Sequence, residues 1–277
     1  MQDELGLNLY DYGARNYDPA IGRWIHVDPL AEVQPNKTPY HYCSNNPVSR
    51  TDPTGMIDGE FRNEKGQVVG NDGIDDGKVY VIKTSEKSFP TGQPDDTPSA
   101  GISRKDAKAT EEFIKTNSGN TSAFQSNDIA YKNSVEIEGS ATTRQSMVDI
   151  VNQDNGKGGT SDANNREYGG RIKRDGTVVE APAGPVGVPG VDKQANITLT
   201  TFFEGQVTFH SHPSGVRVDG NTTSFWAQPP SFKGADIQNS NNTREYVFGR
   251  SSGTVYIFNS TGVMATIPQQ YFVTGKQ

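Results

Sequence analysis

Residues 206–215 read QVTFHSHPSG, and the class of fold and the candidate chemistry both follow from this stretch. Val207, Thr208 and Phe209 are β-favouring, Pro213 stops the run, and Ser214-Gly215 turns the chain. In a strand, positions i and i+2 project from one face, so His210 and His212 point the same way and can reach one ion. Zinc takes nitrogen and oxygen donors at about 2.0–2.2 Å, and a catalytic site uses three protein ligands, so an acidic third partner is required.

Downstream, PPSFKGADI at 229–237 offers Asp236, where Pro229 and Pro230 close a loop and Ser231 is placed to cap a helix carrying the carboxylate. Asp219 is the rival for that position. Upstream, Glu167 opens the strand EYGGRI at 167–172 and is the candidate general base, because a zinc-activated water needs a group to take its proton. Gly169 and Gly170 leave room for a neighbouring backbone or for substrate. Each of these residues also has a plainer reading: surface histidines at a sheet edge, Glu167 as a solvated partner of Arg166 or Arg171, and Ser231 as a helix cap only.

Around this centre the C-terminal half reads as strands. Two arms flank Asp175-Gly176, NITLTTFF follows at 196–203, and REYVFGR and GTVYIFN are joined through Ser-Ser-Gly. Helices are expected at 103–117, capped by Ser103, and at 142–153, where Met147, Ile150 and Val151 share a face. The expected class is therefore α+β, a mixed sheet with flanking helices. The long segment VRVDGNTTSFWAQPP at 216–230 carries Phe225 and Trp226, placed either to line a groove or to pack as an insertion.

Residues 57–100 are rich in Gly, Asp and Pro and read as a linker around a small hairpin near KVYVIKT at 78–84. Residues 1–56 alternate aromatic and polar positions between tight turns, with too little aliphatic content to bury a core alone. They are expected to belong to a larger sheet upstream. His26 and His41 read as structural.

The net charge of −7 argues against a broad basic face for nucleic acid. No run reaches the roughly 18–20 apolar residues of a membrane span, and the first residues lack the pattern of a signal peptide. Cys43 is the single cysteine, which rules out an intrachain disulfide and a thiolate zinc cluster.

Glu167 ahead of GGRI, then VTFHSHPSG, then PPSFKGADI resemble the JAB/MPN (JAMM) metallopeptidases, over about residues 140–277. The resemblance implies a cytidine-deaminase-like mixed sheet, Zn2+ on His210, His212 and Asp236, Glu167 as acid and base, and Ser231 polarising the oxyanion. Ser231 stands further from Asp236 than in the family's SxxD. LGLNLYDYGARNYDPAIGRWIHVDPLAE at 5–32 and YHYCSNNPVSRTDPTGM at 40–56 resemble the end of an RHS-repeat core, a β-shell that encloses a C-terminal toxin. That resemblance makes Asp28 and Asp52 candidates for self-cleavage, two carboxylates sharing a proton, although each is also an ordinary Asp-Pro turn.

The organisation expected is thus an RHS-core end at 1–56, a linker at 57–100 and a JAB/MPN-like metallopeptidase toxin at 101–277. The expected partners are a protein or peptide substrate, a cognate immunity protein and the upstream RHS shell, with no nucleic acid and no membrane. The expected location is that of a secreted or delivered effector. Two other readings compete: an inert protein-binding module of the same fold, and a metal-dependent nuclease toxin.

Overall fold

The computed structural model describes residues 8–11, 15–27, 38–42, 59–74, 76–84, 97–188, 195–199, 207–219, 221–232, 236–240 and 244–275. The first strands are β1 (Tyr10–Asp11), β2 (Asn16–Asp18), β3 (Arg23–Trp24), β4 (Glu60–Arg62), β5 (Val68–Asn71) and β6 (Val79–Ile82). Helices α1 (Arg104–Thr116), α2 (Thr121–Ser126) and α3 (Ile129–Lys132) precede β7 (Ser134–Ile137), and α4 (Ala141–Val151) follows it. Then come β8 (Gly169–Ile172), β9 (Val178–Glu180), β10 (Val207–His212), β11 (Val216–Asp219) and β12 (Thr222–Phe225). The chain closes with β13 (Glu245–Gly249), β14 (Thr254–Asn259) and β15 (Gly262–Pro268). The class is α+β, with few helices and several sheets.

The largest sheet has the order β15-β14-β13-β10-β8-β9. Its one parallel pair joins β10 to β13, while β8 lies antiparallel on the other side of β10. A second sheet has the order β5-β4-β6-β7. Strand β6, VYVI, is buried throughout, because Val79 and Val81 face one cluster while Tyr80 and Ile82 face another. The first cluster also takes Met147 and Val151 of α4, Phe209 of β10 and Phe248 of β13, so the two sheets and α4 share a core. The second cluster packs Tyr80 and Ile82 with Ile114 of α1, Phe124 of α2 and Ala130 of α3.

Local chemistry starts these helices where the sequence places them. Ser103 caps α1 by accepting the Asp106 backbone N–H, and Ser140 caps α4 by accepting that of Thr143. Thr110 and Ile114, four apart, form the buried line of α1. Met147 and Val151 do the same in α4, with Ile150 partly buried at the margin of the same core. Asp175-Gly176 turns the chain between β8 and β9 as expected, with Gly176 at φ 81°.

Three stretches differ from expectation. Residues 59–84 hold a hairpin, β4–β5, but not as a linker: with β6 and β7 they form a sheet whose Phe61, Val81 and Arg62 are fully buried. Aromatic stacking compensates for sparse aliphatic content there, Phe61 lying 4.7 Å from Tyr80 between centroids. Asn196 to Leu199 are irregular, and the rest of the expected strand at 196–203 lies outside the described residues. Residues 236–239 form a turn in place of the expected helix after Ser231.

At the N-terminal end, β1, β2 and β3 form a three-stranded meander held by Tyr17, Trp24 and Tyr42. Its small core is aromatic, with Trp24 and Tyr42 edge to face at 5.1 Å. His41 binds the Thr38 carbonyl through Nδ1, whereas His26 is exposed. Asp28, Cys43 and Asp52 lie outside the described residues. Among the described residues no helix is long and apolar enough to cross a membrane.

Candidate metal centre

Alternation along β10 separates core from site. Phe209 points into the shared core, so His210 and His212 project from the opposite face. Ser211, fully buried, ties β10 to the segment before β8: its N–H donates to the Tyr168 carbonyl at 2.7 Å, and its Oγ accepts the Tyr168 N–H at 3.0 Å. This extends the β8–β10 register, which pairs His210 with Gly169, and brings Glu167 alongside His212. A Cβ on Gly169 would lie 2.3 Å from the Phe209 carbonyl oxygen and 2.8 Å from the His210 Cα. The room at Gly169 is therefore filled by the histidine strand itself, and that at Gly170 by the backbone of Val179, the first of the two uses expected for this pair.

Glu167, His210 and His212 are all buried, and each offers a ligand atom within 4.8 Å of the others. Asp236 reaches both rings: its Oδ1 is 3.3 Å from His210 Nε2 and its Oδ2 is 3.3 Å from His212 Nε2. Its neighbour Ile237 explains the approach. That side chain is fully buried with Val247, Tyr256, Phe258 and Val263, on the face of β13 beside the histidines. Ser231 fixes the carboxylate further, donating its N–H at 2.7 Å and its hydroxyl at 2.8 Å to Asp236 Oδ2. Asp219, the rival ligand, ends β11 in the β11–β12 hairpin.

The charges are tightly coupled. Burial alone would lower the pKa of His210, but Asp236 first and then Glu167 and Glu245 carry it up to about 9. Burial works against ionising Asp236, yet the His210 and His212 imidazoles outweigh it and hold the carboxyl well below the usual range. Burial pushes Glu167 up, partly opposed by the same two rings and reinforced by Asp236. His212 has a further constraint, because its Nδ1 lies 2.9 Å from the Ala227 carbonyl. A carbonyl only accepts, so Nδ1 carries a hydrogen, and Nε2 is the ring nitrogen that faces Asp236.

These donors fit zinc. Two buried imidazoles and the buried Glu167 carboxylate converge, with the part-buried Asp236 carboxylate against both Nε2 atoms, and these are donor types that zinc takes. At 3.3 Å, the Asp236 contacts exceed an ordinary N–H···O separation of about 2.9 Å. They equal the spacing of two donors on a tetrahedral ion with bonds of about 2.0 Å.

Sequence reasoning finds His210, His212, Asp236 and Glu167, and the structure brings these four together with Ser231. It misses Ala227, Ser211 and Ile237, which act through backbone position or burial and carry no residue type associated with metal chemistry. Phe225 and Trp226 part company. Trp226 is 5% exposed and donates its indole N–H to Asn165 Oδ1 at 3.0 Å, whereas Phe225 is 67% exposed.

No family model matches the chain, and no solved structure matches it. Over 49 residues, 18% of the chain, it is 49% identical to Salivary gland surface protein 1 of Aedes aegypti, of which this covers 1%. Over 48 residues, 17% of the chain, it is 46% identical to Toxin subunit YenC2 of Yersinia entomophaga, of which this covers 5%. The chain is thus similar to a short part of a bacterial toxin subunit, and it spans a few per cent of the length of these curated relatives.

Proposed function

We propose that the part of the chain carrying the two sheets with the shared core is a zinc-dependent hydrolase of peptide or isopeptide bonds, of JAMM type, carried as the C-terminal effector of an RHS-type toxin. One observation carries the chemistry: a buried Glu167, His210 and His212 cluster, closed by an Asp236 that touches both imidazoles. Four groups of this kind, drawn from three separate stretches of chain, meet in one buried place. In the metal-free protein the protonated His210 pairs with Asp236, and a divalent cation would take over that pairing while also engaging the second ring. In this reading His210, His212 and Asp236 hold the ion.

Zinc bound there supplies Lewis acidity, polarising a carbonyl and making a water molecule easier to deprotonate. Glu167 would accept a proton from the attacking water and return it to the departing amine. Burial raises its pKa and the two neighbouring rings oppose that rise, so the carboxyl is biased towards holding a proton more than a free glutamate is. Ser231 directs its hydroxyl hydrogen at Asp236, so its role in this reading is to fix the ligand carboxylate rather than to polarise an oxyanion. The similarity to a short part of a toxin subunit supports a toxin-like, delivered-effector reading; a cognate immunity protein and an upstream shell as partners belong to the proposal alone.

The experiment compares zinc-loaded wild type and Glu167→Gln on a library of peptide and isopeptide substrates. Equal zinc content with cleavage reduced about 10²- to 10⁴-fold is expected for loss of a general base. Full activity in the glutamine variant would remove Glu167 from the mechanism. An intact wild-type zinc site that cleaves nothing would favour the inert binding module.

A further inference from the structure

Gln228 lies just beyond the β11–β12 hairpin, and its side chain joins three stretches of chain. Its Nε2 donates to the Pro213 carbonyl at 3.0 Å and the Trp226 carbonyl at 2.8 Å. Its Oε1 accepts the Ser251 N–H at 2.8 Å and the Ser252 N–H at 3.4 Å. Two carbonyls on one side and two N–H groups on the other settle the orientation of the amide, and all its hydrogen-bonding capacity towards these groups is used.

Its partners mark its place. Pro213 immediately follows His212, and Ser251 and Ser252 lie in the turn between β13 and β14. Trp226 and Gln228 bracket Ala227, whose carbonyl faces His212 Nδ1 at 2.9 Å. A Cβ on Gly249, the β13 residue paired with His212, would lie 3.1 Å from the Gln228 Cβ, so the backbone there is also close-packed.

We propose that Gln228 is the positioning residue for His212: it clamps the 226–228 segment to both neighbouring strand ends and so holds the Ala227 carbonyl on Nδ1. This makes the hairpin segment, which has no place in the metal-ligand pattern itself, the part that sets the tautomer and ring angle of a ligand. The inference rests on the zinc-site reading for its consequence, but not for its geometry. Hydrogen-bond partners of this kind on the far nitrogen of a ligand histidine typically change metal affinity about 10- to 100-fold.

The experiment uses the full chain with Gln228→Met, which has similar length and no amide, and Gln228→Glu. The glutamate variant keeps an acceptor for Ser251 and Ser252 but loses both donors to Pro213 and Trp226, and so tests the donor side if the methionine variant folds poorly. The readouts are zinc affinity, the visible absorption of the cobalt(II)-substituted protein, and histidine ¹⁵N spectra of the metal-free protein.

Both variants are expected to bind zinc about 10- to 100-fold more weakly, to shift the cobalt bands, and to lose the Nδ1–H signature of His212. Wild-type affinity, cobalt spectrum and His212 signature in both variants would overturn the proposal and leave the zinc site standing. If wild type takes no metal but the His212 signature still changes in both variants, the zinc reading fails and the positioning by Gln228 stands.

Discussion

His210 and Asp236 hold each other in the charged state, which gives the metal-free protein a definite pH dependence. The pKa of His210 is raised from 6.5 to about 9, so its pairing stabilises the fold fully below 6.5 and is lost as pH rises through about 9. Glu167, also raised, contributes with the same sign. Asp236, lowered, acts oppositely: its contribution is present above 3.8 and is lost as pH falls further. Melting curves in a chelator should therefore show Tm falling between pH 6.5 and 9, and His210→Ala should flatten that slope. Zinc must displace the His210 proton, so calorimetry at pH 7 in buffers of different ionisation enthalpy should show about one proton released per ion. Heats independent of buffer would contradict a protonated His210. Both histidines are legible in the sequence because a period of two puts them on one face. The Ala227 carbonyl on Nδ1 is not, because a backbone acceptor has no residue-type signature.

The pairing of β8 with β10 sets the distance between base and ligands, and at Gly169 the backbone of β10 leaves no room for a side chain. Gly169→Ala forces a Cβ against backbone of Phe209 and His210, which cannot rotate away. Loss of about 1–3 kcal/mol of stability is expected, together with weaker zinc binding, measured by denaturant titration and metal competition. An unchanged protein would mean the strands can separate without cost. The glycine pair and the Asp-Gly turn announce this strand arrangement in sequence. The Asp236 segment illustrates the opposite case: a capping pattern led by Ser231 predicts a helix, yet the serine binds the aspartate and 236–239 form a turn. The burial of Ile237 decides where the carboxylate goes, and a single isoleucine in a polar stretch gives no periodicity from which to read it.

The site rests on a core that both large sheets share. Met147 of α4 lies fully buried where Val81 and Val135 of one sheet meet Phe209 and Phe248 of the other. Met147→Ala should cost about 2–5 kcal/mol, and loss of secondary structure and release of zinc should shift to lower temperature together. Zinc release unaffected by the substitution would mean that the metal site folds independently of this core. The α+β class was legible from the alternating strands of the C-terminal half and the Ser-capped helices. The second sheet was not, because the Gly- and Asp-rich segments between β4, β5 and β6 disguise short strands whose core includes stacked aromatic rings. The measurement that decides most is zinc per chain by elemental analysis, on wild type and on His210→Ala, His212→Ala and Asp236→Ala. One zinc in wild type, lost in each variant while the fold persists, is the expected result. No zinc in metal-replete wild type, or one retained by all three variants, would contradict the proposed site.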